Sequence, residues 1–174
     1  MMTLPGLPAP KAKKAKVDYS ECFARALATR PRIPAPVREY TVCPWRLWRF
    51  DFAFMPHESA SGHKIAIEID GGTFVAGGGR HNEDSDREKL AVAAALGFRV
   101  IRFSQEMLGV TVRRGIAQIT RPECMCWCLD VLEAALFGGI TALPVCPAVE
   151  ARKAKAKAKA AAVKHASDLK QLGR

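Results

Sequence analysis

Nowhere does the chain hold an uninterrupted apolar run of 18 residues, so no membrane-spanning helix is expected. Its N-terminus carries basic residues with no apolar segment behind them, which argues against a secretory leader. A disulfide framework is missing too. Cys22 and Cys43 are isolated, and Cys124, Cys126 and Cys128 crowd together, so a reduced, cytoplasmic protein is the expectation. The glycines at 77–79 lack the Gly-Lys-Ser/Thr ending that a nucleotide-phosphate loop needs.

Large apolar side chains are scarce at both ends, in TLPGLPAPKAKKAK (residues 3–16) and in ARKAKAKAKAAAVKHASDLKQLGR (residues 151–174), and neither stretch can build a core. Acids are scarce there as well. Lys11, Lys13, Lys14 and Lys16 give +4, and residues 151–174 give +7 against the single Asp168, within a net charge of +10 for the whole chain. What remains between Val17 and Glu150 is 15 basic against 16 acidic residues, a nearly neutral core. Lysines strung along an extension neutralise successive phosphates without exact geometry, so the tails suit a long polyanion; the other reading is that they solubilise the chain or favour an anionic surface. The Lys153, Lys155, Lys157 and Lys159 run is expected to fray in isolation, because like charges at i,i+4 repel, and to become helical on DNA.

What is present reads as one α/β domain over residues 17–145, with a basic extension at 1–16 and a basic tail at 146–174. Asp18 caps a helix to about Ala28, with Glu21 at the capping-box position and Phe23 and Leu27 on one face. Three prolines make 29–37 irregular. Period two over 46–54 puts Phe50, Phe52 and Phe54 on one side and Arg49, Asp51 and Ala53 on the other. A second strand, 64–70, has Ile65, Ile67 and Ile69 opposite Ala66, Glu68 and Asp70, and the short connection predicts a hairpin. A glycine-rich loop, 71–81, leads to a helix capped by Asn82 and stopped by Gly97. The strand 98–103 then implies a parallel β-α-β crossover. Helices are predicted over 105–119 and 122–137, the latter with Pro122 in its first turn.

The chemistry lies where these strands meet. Glu68 and Asp70 point the same way roughly 7 Å apart, and Asp51 reaches them from the neighbouring strand. Three carboxylates facing one space repel unless something positive offsets them, and a hard cation with oxygen ligands does so. Mg²⁺ is the expected cofactor, with Mn²⁺ as a substitute. The alternative is a solvated sheet edge lined by acids.

In order, WRFDFAF, KIAIEIDGG, GGGRH and DREKLAVAAALGFRVIRFS resemble the restriction-endonuclease-like nuclease superfamily, whose signature is an Asp followed by Glu-x-Lys. The resemblance covers residues 38–110 and is nearest to small phage and bacterial Holliday-junction resolvases and very-short-patch-repair-like endonucleases. It implies a restriction-endonuclease-like mixed sheet flanked by helices, a metal-dependent DNA endonuclease, and a homodimer if branched DNA is cut. Asp51 takes the place of the metal-binding Asp, Glu68 that of the Glu, and Ile69 lends its carbonyl. Asp70 stands where the family has Lys, a departure that puts the general base in question. Lys89 is the leading substitute, its other role being an ion pair with Asp86. His81 either contacts phosphate and protonates the leaving oxygen or stabilises its loop. Arg80 beside it is a phosphate clamp. Glu21 either completes the metal site, as a helical Glu does in resolvases, or serves as a capping-box residue.

Arg46 and Arg49 flank the first strand and are expected to touch DNA, as are the tail lysines; Trp45 and Trp48 either stack on bases or pack. The apolar face of 122–137, with Leu129, Leu132 and Leu136, is either a dimer interface or core. Cys124, Cys126 and Cys128 diverge around a helix and read as core cysteines; zinc with Cys146 requires a non-helical segment. The rival functions are a nicking or mismatch-repair endonuclease and a non-catalytic DNA-binding protein on a nuclease scaffold.

Overall fold

The computed structural model describes residues 18–60, 62–71, 83–138 and 144–172. Helix α1 (Tyr19–Leu27) begins where expected: the Asp18 carboxylate accepts from the backbone N–H of Ser20 and Glu21 and caps two otherwise unpaired donors. Phe23 and Leu27 are buried, and the Phe23 ring lies 5.5 Å from Phe52 and 5.6 Å from Phe103. After the proline-rich connection comes an edge strand not foreseen in the sequence, β1 (Val37–Thr41).

Strands β2 (Arg49–Phe54), β3 (Lys64–Asp70) and β4 (Phe98–Ser104) complete a four-stranded sheet in the order β1-β2-β3-β4. β1 and β2 are antiparallel, as are β2 and β3. β3 and β4 are parallel through α2 (Glu83–Ala95), the crossover that the sequence implied. The chain thus has a mixed sheet flanked by helices, an α/β fold. Asn82, the expected cap of α2, and the glycine-rich loop beyond Gly71 lie outside the described residues.

Helices α1 and α3 (Pro122–Phe137) cover one side of the sheet, where Phe52, Phe54, Ile65, Ile67 and Phe103 meet Leu129, Leu132 and Leu136. Those leucines are almost completely buried. They are core, the second of the two roles the sequence left open for this helical face. On the other side α2 meets Phe50, Ala53, Ala66 and Phe98 through Ala93. Phe50 therefore departs from the expected alternation and sits opposite Phe52 and Phe54. The pairing explains it, since Tyr40↔Phe50 and Arg38↔Phe52 are partners while residues 39 and 51 between them are not, and Glu39 has a φ of +50°.

The helix expected over 105–119 is instead a hairpin, β5 (Val110–Arg113) with β6 (Ile116–Ile119). β5 opens with three β-branched residues, Val110, Thr111 and Val112, β6 begins and ends on isoleucine, and two glycines set the ends. Gly109 (φ +65°) is so close to the Arg121 carbonyl that a Cβ would stand 2.3 Å from it, so a helical side chain has no room there. Arg114 and Gly115 both adopt positive φ and close a two-residue turn.

Helix α4 (Pro147–Leu172) carries the basic tail, contrary to the expected fraying. Its first turn is pinned: Cys146 and Ala148 are buried against Cys124, and Arg152 pairs with Glu106. Alanine, the best helix former, then alternates with exposed lysine. No described helix is long and apolar enough to cross a membrane.

Candidate active site

Glu68 and Asp70 stand at the end of β3, and Asp51 approaches that end from β2 where the two strands part. The ladder Phe54↔Ile65, Ala53↔Ala66, Phe52↔Ile67 stops one residue short of Asp51. The carboxylate of Asp51 takes over, its Oδ2 accepting from the Ile69 N–H at 2.6 Å. A side chain thus satisfies a backbone donor that the neighbouring strand has left. Burial pushes the Asp51 carboxyl above its ordinary range; the Ile69 bond opposes this, and the nearby charges of Glu68 and Glu39 add to it.

Glu68 shares the α2 side of the sheet with Ala66, and there Lys89 reaches it. Nζ of Lys89 donates to Oε1 of Glu68 at 2.8 Å and to the carbonyl of Arg49 at 2.7 Å, and lies 4.3 Å from the centre of the Phe50 ring. The lysine is buried, so its charge is held by these three partners rather than by water. Lys89 therefore projects over the sheet, the position expected for it, and its ion pair there is with Glu68.

Parallel register brings a second cation that sequence reasoning missed. Glu68 is paired with Arg102 across β3 and β4, and the Arg102 guanidinium donates to Oδ1 of Asp70 at 2.7 Å with Nε 4.0 Å from Oε2 of Glu68. Asp70 strengthens the hold of Arg102 on its proton. Nε itself is buried without a hydrogen-bond partner. One basic residue inside an otherwise apolar strand was the available signal, but only the strand register says which acids it meets.

The remaining expected site residues are spread out. Glu21 is bound to Arg38 on the edge strand at 3.1 Å, and the described residues do not bring it to the other three acids; its capping-box position is likewise spent on that pair. Arg49 pairs through its side chain with Glu39 at 3.4 Å, and Arg46 with Glu88 at 3.0 Å while stacking 5.1 Å from the Trp48 ring. Trp45 is 82% exposed and Trp48 half-buried. Lys153, Lys155, Lys157 and Lys159 line exposed α4. His81 and Arg80 lie outside the described residues. The cysteines are free thiols, all buried except Cys126, and burial raises Cys124 and Cys128 above the ordinary thiol range.

The donors suit a hard cation. Asp51, Glu68 and Asp70 offer only carboxylate oxygens, and each commits one oxygen to a hydrogen bond with the protein. Their disposition is that of acids held by Lys89 and Arg102: among the described residues, no set of three His, Cys, Asp or Glu side chains is arranged to hold a metal ion. Fold and site together define an α/β domain with a half-buried cluster of three acids and two bases at the end of a parallel strand pair. No protein-family model, no curated protein and no solved structure matches this chain.

Proposed function

We propose that the chain is a restriction-endonuclease-like nuclease that hydrolyses phosphodiester bonds in DNA, with branched DNA as its preferred substrate and a homodimer as the cutting form. The observation that carries the reading is the pairing of Asp51, hydrogen-bonded to the Ile69 N–H, with Glu68, hydrogen-bonded to Lys89. Asp51, Glu68 and the carbonyl of Ile69 would hold Mg²⁺, or Mn²⁺ in its place, with Asp70 alongside. Such an ion polarises a phosphate and makes a bound water more acidic.

Lys89 supplies from α2 the positive charge that the family carries on the strand, where this chain has Asp70. Asp51 is kept in place by a backbone N–H, so its second oxygen is preset. Arg102 neutralises Asp70 and limits the repulsion that three acids would feel. His81 and Arg80 are candidates for the phosphate and the leaving oxygen. Lys153, Lys155, Lys157 and Lys159 add salt-dependent affinity for the duplex, and Arg46 and Arg49 border the site.

A second reading, a DNA-binding protein that keeps the scaffold without catalysis, is favoured by one observation: Lys89 and Arg102 already compensate the acids. The test is cleavage of supercoiled, linear and four-way-junction DNA during a Mg²⁺ titration. Cutting that disappears in Asp51→Ala and Glu68→Ala while binding persists supports the nuclease. Binding without cutting in any divalent metal supports the scaffold reading. Nicking of mismatched duplex in preference to junctions would assign a repair-type endonuclease instead.

A further inference from the structure

The β5–β6 hairpin is two-faced. Its register, Val110↔Ile119, Thr111↔Gln118, Val112↔Ala117 and Arg113↔Ile116, puts Val110, Val112, Ala117 and Ile119 on one side and Thr111, Arg113, Ile116 and Gln118 on the other. The first side meets the core through half of its residues: Val110 is buried, Ala117 packs on the core, and the Cys22 thiol donates to the Ala117 carbonyl at 3.7 Å, while Val112 and Ile119 are exposed. The second side is exposed throughout, with Ile116 62% accessible. Arg114 stands at the tip. Neither Arg113 nor Arg114 makes an ion pair with a described residue, whereas Arg46, Arg49 and Arg102 all do.

Two features argue for a partner on that outer side. First, the turn places an arginine at φ +50°, in a position where asparagine or glycine is the comfortable residue, so a charged tip is kept at a conformational cost. Second, the hairpin is tied to the acidic site through one residue: the Gln105 N–H donates to the carbonyl of Asp70 at 3.2 Å, and its side-chain amide donates to the carbonyl of Val110 at 3.2 Å.

We propose that this hairpin is a ribbon that enters the major groove of B-form DNA beside the acidic site. The B-form major groove admits a two-stranded ribbon, and arginine, glutamine, threonine and a branched apolar side chain are the groups that read base edges and thymine methyls there. Arg114, at the tip, meets the phosphates. The deep, narrow groove of an RNA duplex does not admit such a ribbon. The proposal rests on the nuclease reading for its choice of DNA among polyanions.

The test measures binding of the full chain, with chelator present, to a B-form DNA duplex and to an RNA duplex of the same sequence, between about 50 and 200 mM salt. Arg113→Ala/Arg114→Ala, checked for an unchanged circular dichroism spectrum, is expected to bind the DNA duplex about tenfold more weakly, with a salt dependence shallower by roughly one to two units of slope. Arg114→Asn is expected to melt higher than the parent and yet bind DNA more weakly, a combination that a purely structural turn does not produce. Parental affinity and slope in both variants would overturn the proposal, as would equal losses on the RNA duplex or a parent that binds no DNA. A parent that cuts DNA while the hairpin variants bind normally sinks the ribbon alone. Hairpin-dependent binding without cutting in any metal sinks the nuclease reading and leaves the ribbon standing.

Discussion

The two sides of the sheet are built from the same strands but for different ends. Facing α1 and α3, β2 to β4 present Phe52, Phe54, Ile65, Ile67 and Phe103, an apolar layer closed by leucines. Facing α2, the same strands present Ala53 and Ala66 with Phe50 and Phe98, and at the strand ends the acids and their cations. Small side chains leave room for α2 to approach, and Lys89 then reaches Glu68 and a backbone carbonyl from a buried position. One side is held by area removed from water, about 25 cal/mol per Å². The other adds matched charge and hydrogen bonds at the strand ends to a smaller apolar cluster.

The largest effect expected from this contrast is in the apolar layer. Phe52→Ala should cost about 3–5 kcal/mol in a denaturant titration, since a fully buried ring between Phe23 and the sheet leaves a cavity. A loss below about 1 kcal/mol would mean that this side collapses around the gap and is not the stabilising one.

Next in size is the charged side. Lys89→Ala leaves Glu68, among the described residues, with the more distant Arg102, and should cost about 3 kcal/mol. The double substitution Lys89→Met/Glu68→Leu should recover most of that loss, because two matched apolar side chains need no desolvation. If the double variant is as unstable as the single one, the pair is a structural cornerstone and the contrast between the two sides fails.

A smaller effect, about 1 kcal/mol, is expected from Asp18→Ala, which uncaps α1 beneath the apolar layer. The hydrogen bond from Ser20 holds the Asp18 carboxyl below its ordinary range. A depressed native pKa gives stability that is present above the unfolded value near 3.8 and lost as pH falls through the native one. Thermal melts should therefore separate parent from variant at neutral pH and converge in acid. Parallel pH profiles would show that the cap acts without its charge.

Much of this arrangement was legible in residue order. The alternation in KIAIEID separated Ile65 and Ile67 from Glu68 and Asp70, the Asp18 cap located α1, and the helix after β3 implied parallel β4. Other features were not legible, and for three of them the physical reason is plain. Arg102 joins the site through strand register, which is a tertiary property. Phe50 changes sides because pairing lapses at residues 39 and 51, and no local pattern encodes a lapse. The β5–β6 hairpin was hidden because its turn is Arg-Gly, in place of the Asn-Gly that marks such turns, and because apolar residues near 108–119 also fit a helical period.

Asp51 offers the smallest effect and the most direct separation of function from stability. Its carboxyl is raised, chiefly by burial and then by the charge of Glu68, so the native state keeps a proton that the unfolded chain has released. Between the unfolded value near 3.8 and the raised native one, stability falls as pH rises, and the deficit persists at neutral pH. Asp51→Asn keeps an oxygen for the Ile69 N–H and removes the charge. With chelator present, the variant should be slightly more stable than the parent at neutral pH and equal to it below pH 3.8, with a flatter profile between. A variant less stable than the parent at neutral pH would show that the carboxylate earns its place structurally through the 2.6 Å bond. The gain, if found, is the mark of a buried charge retained for something other than holding the fold together.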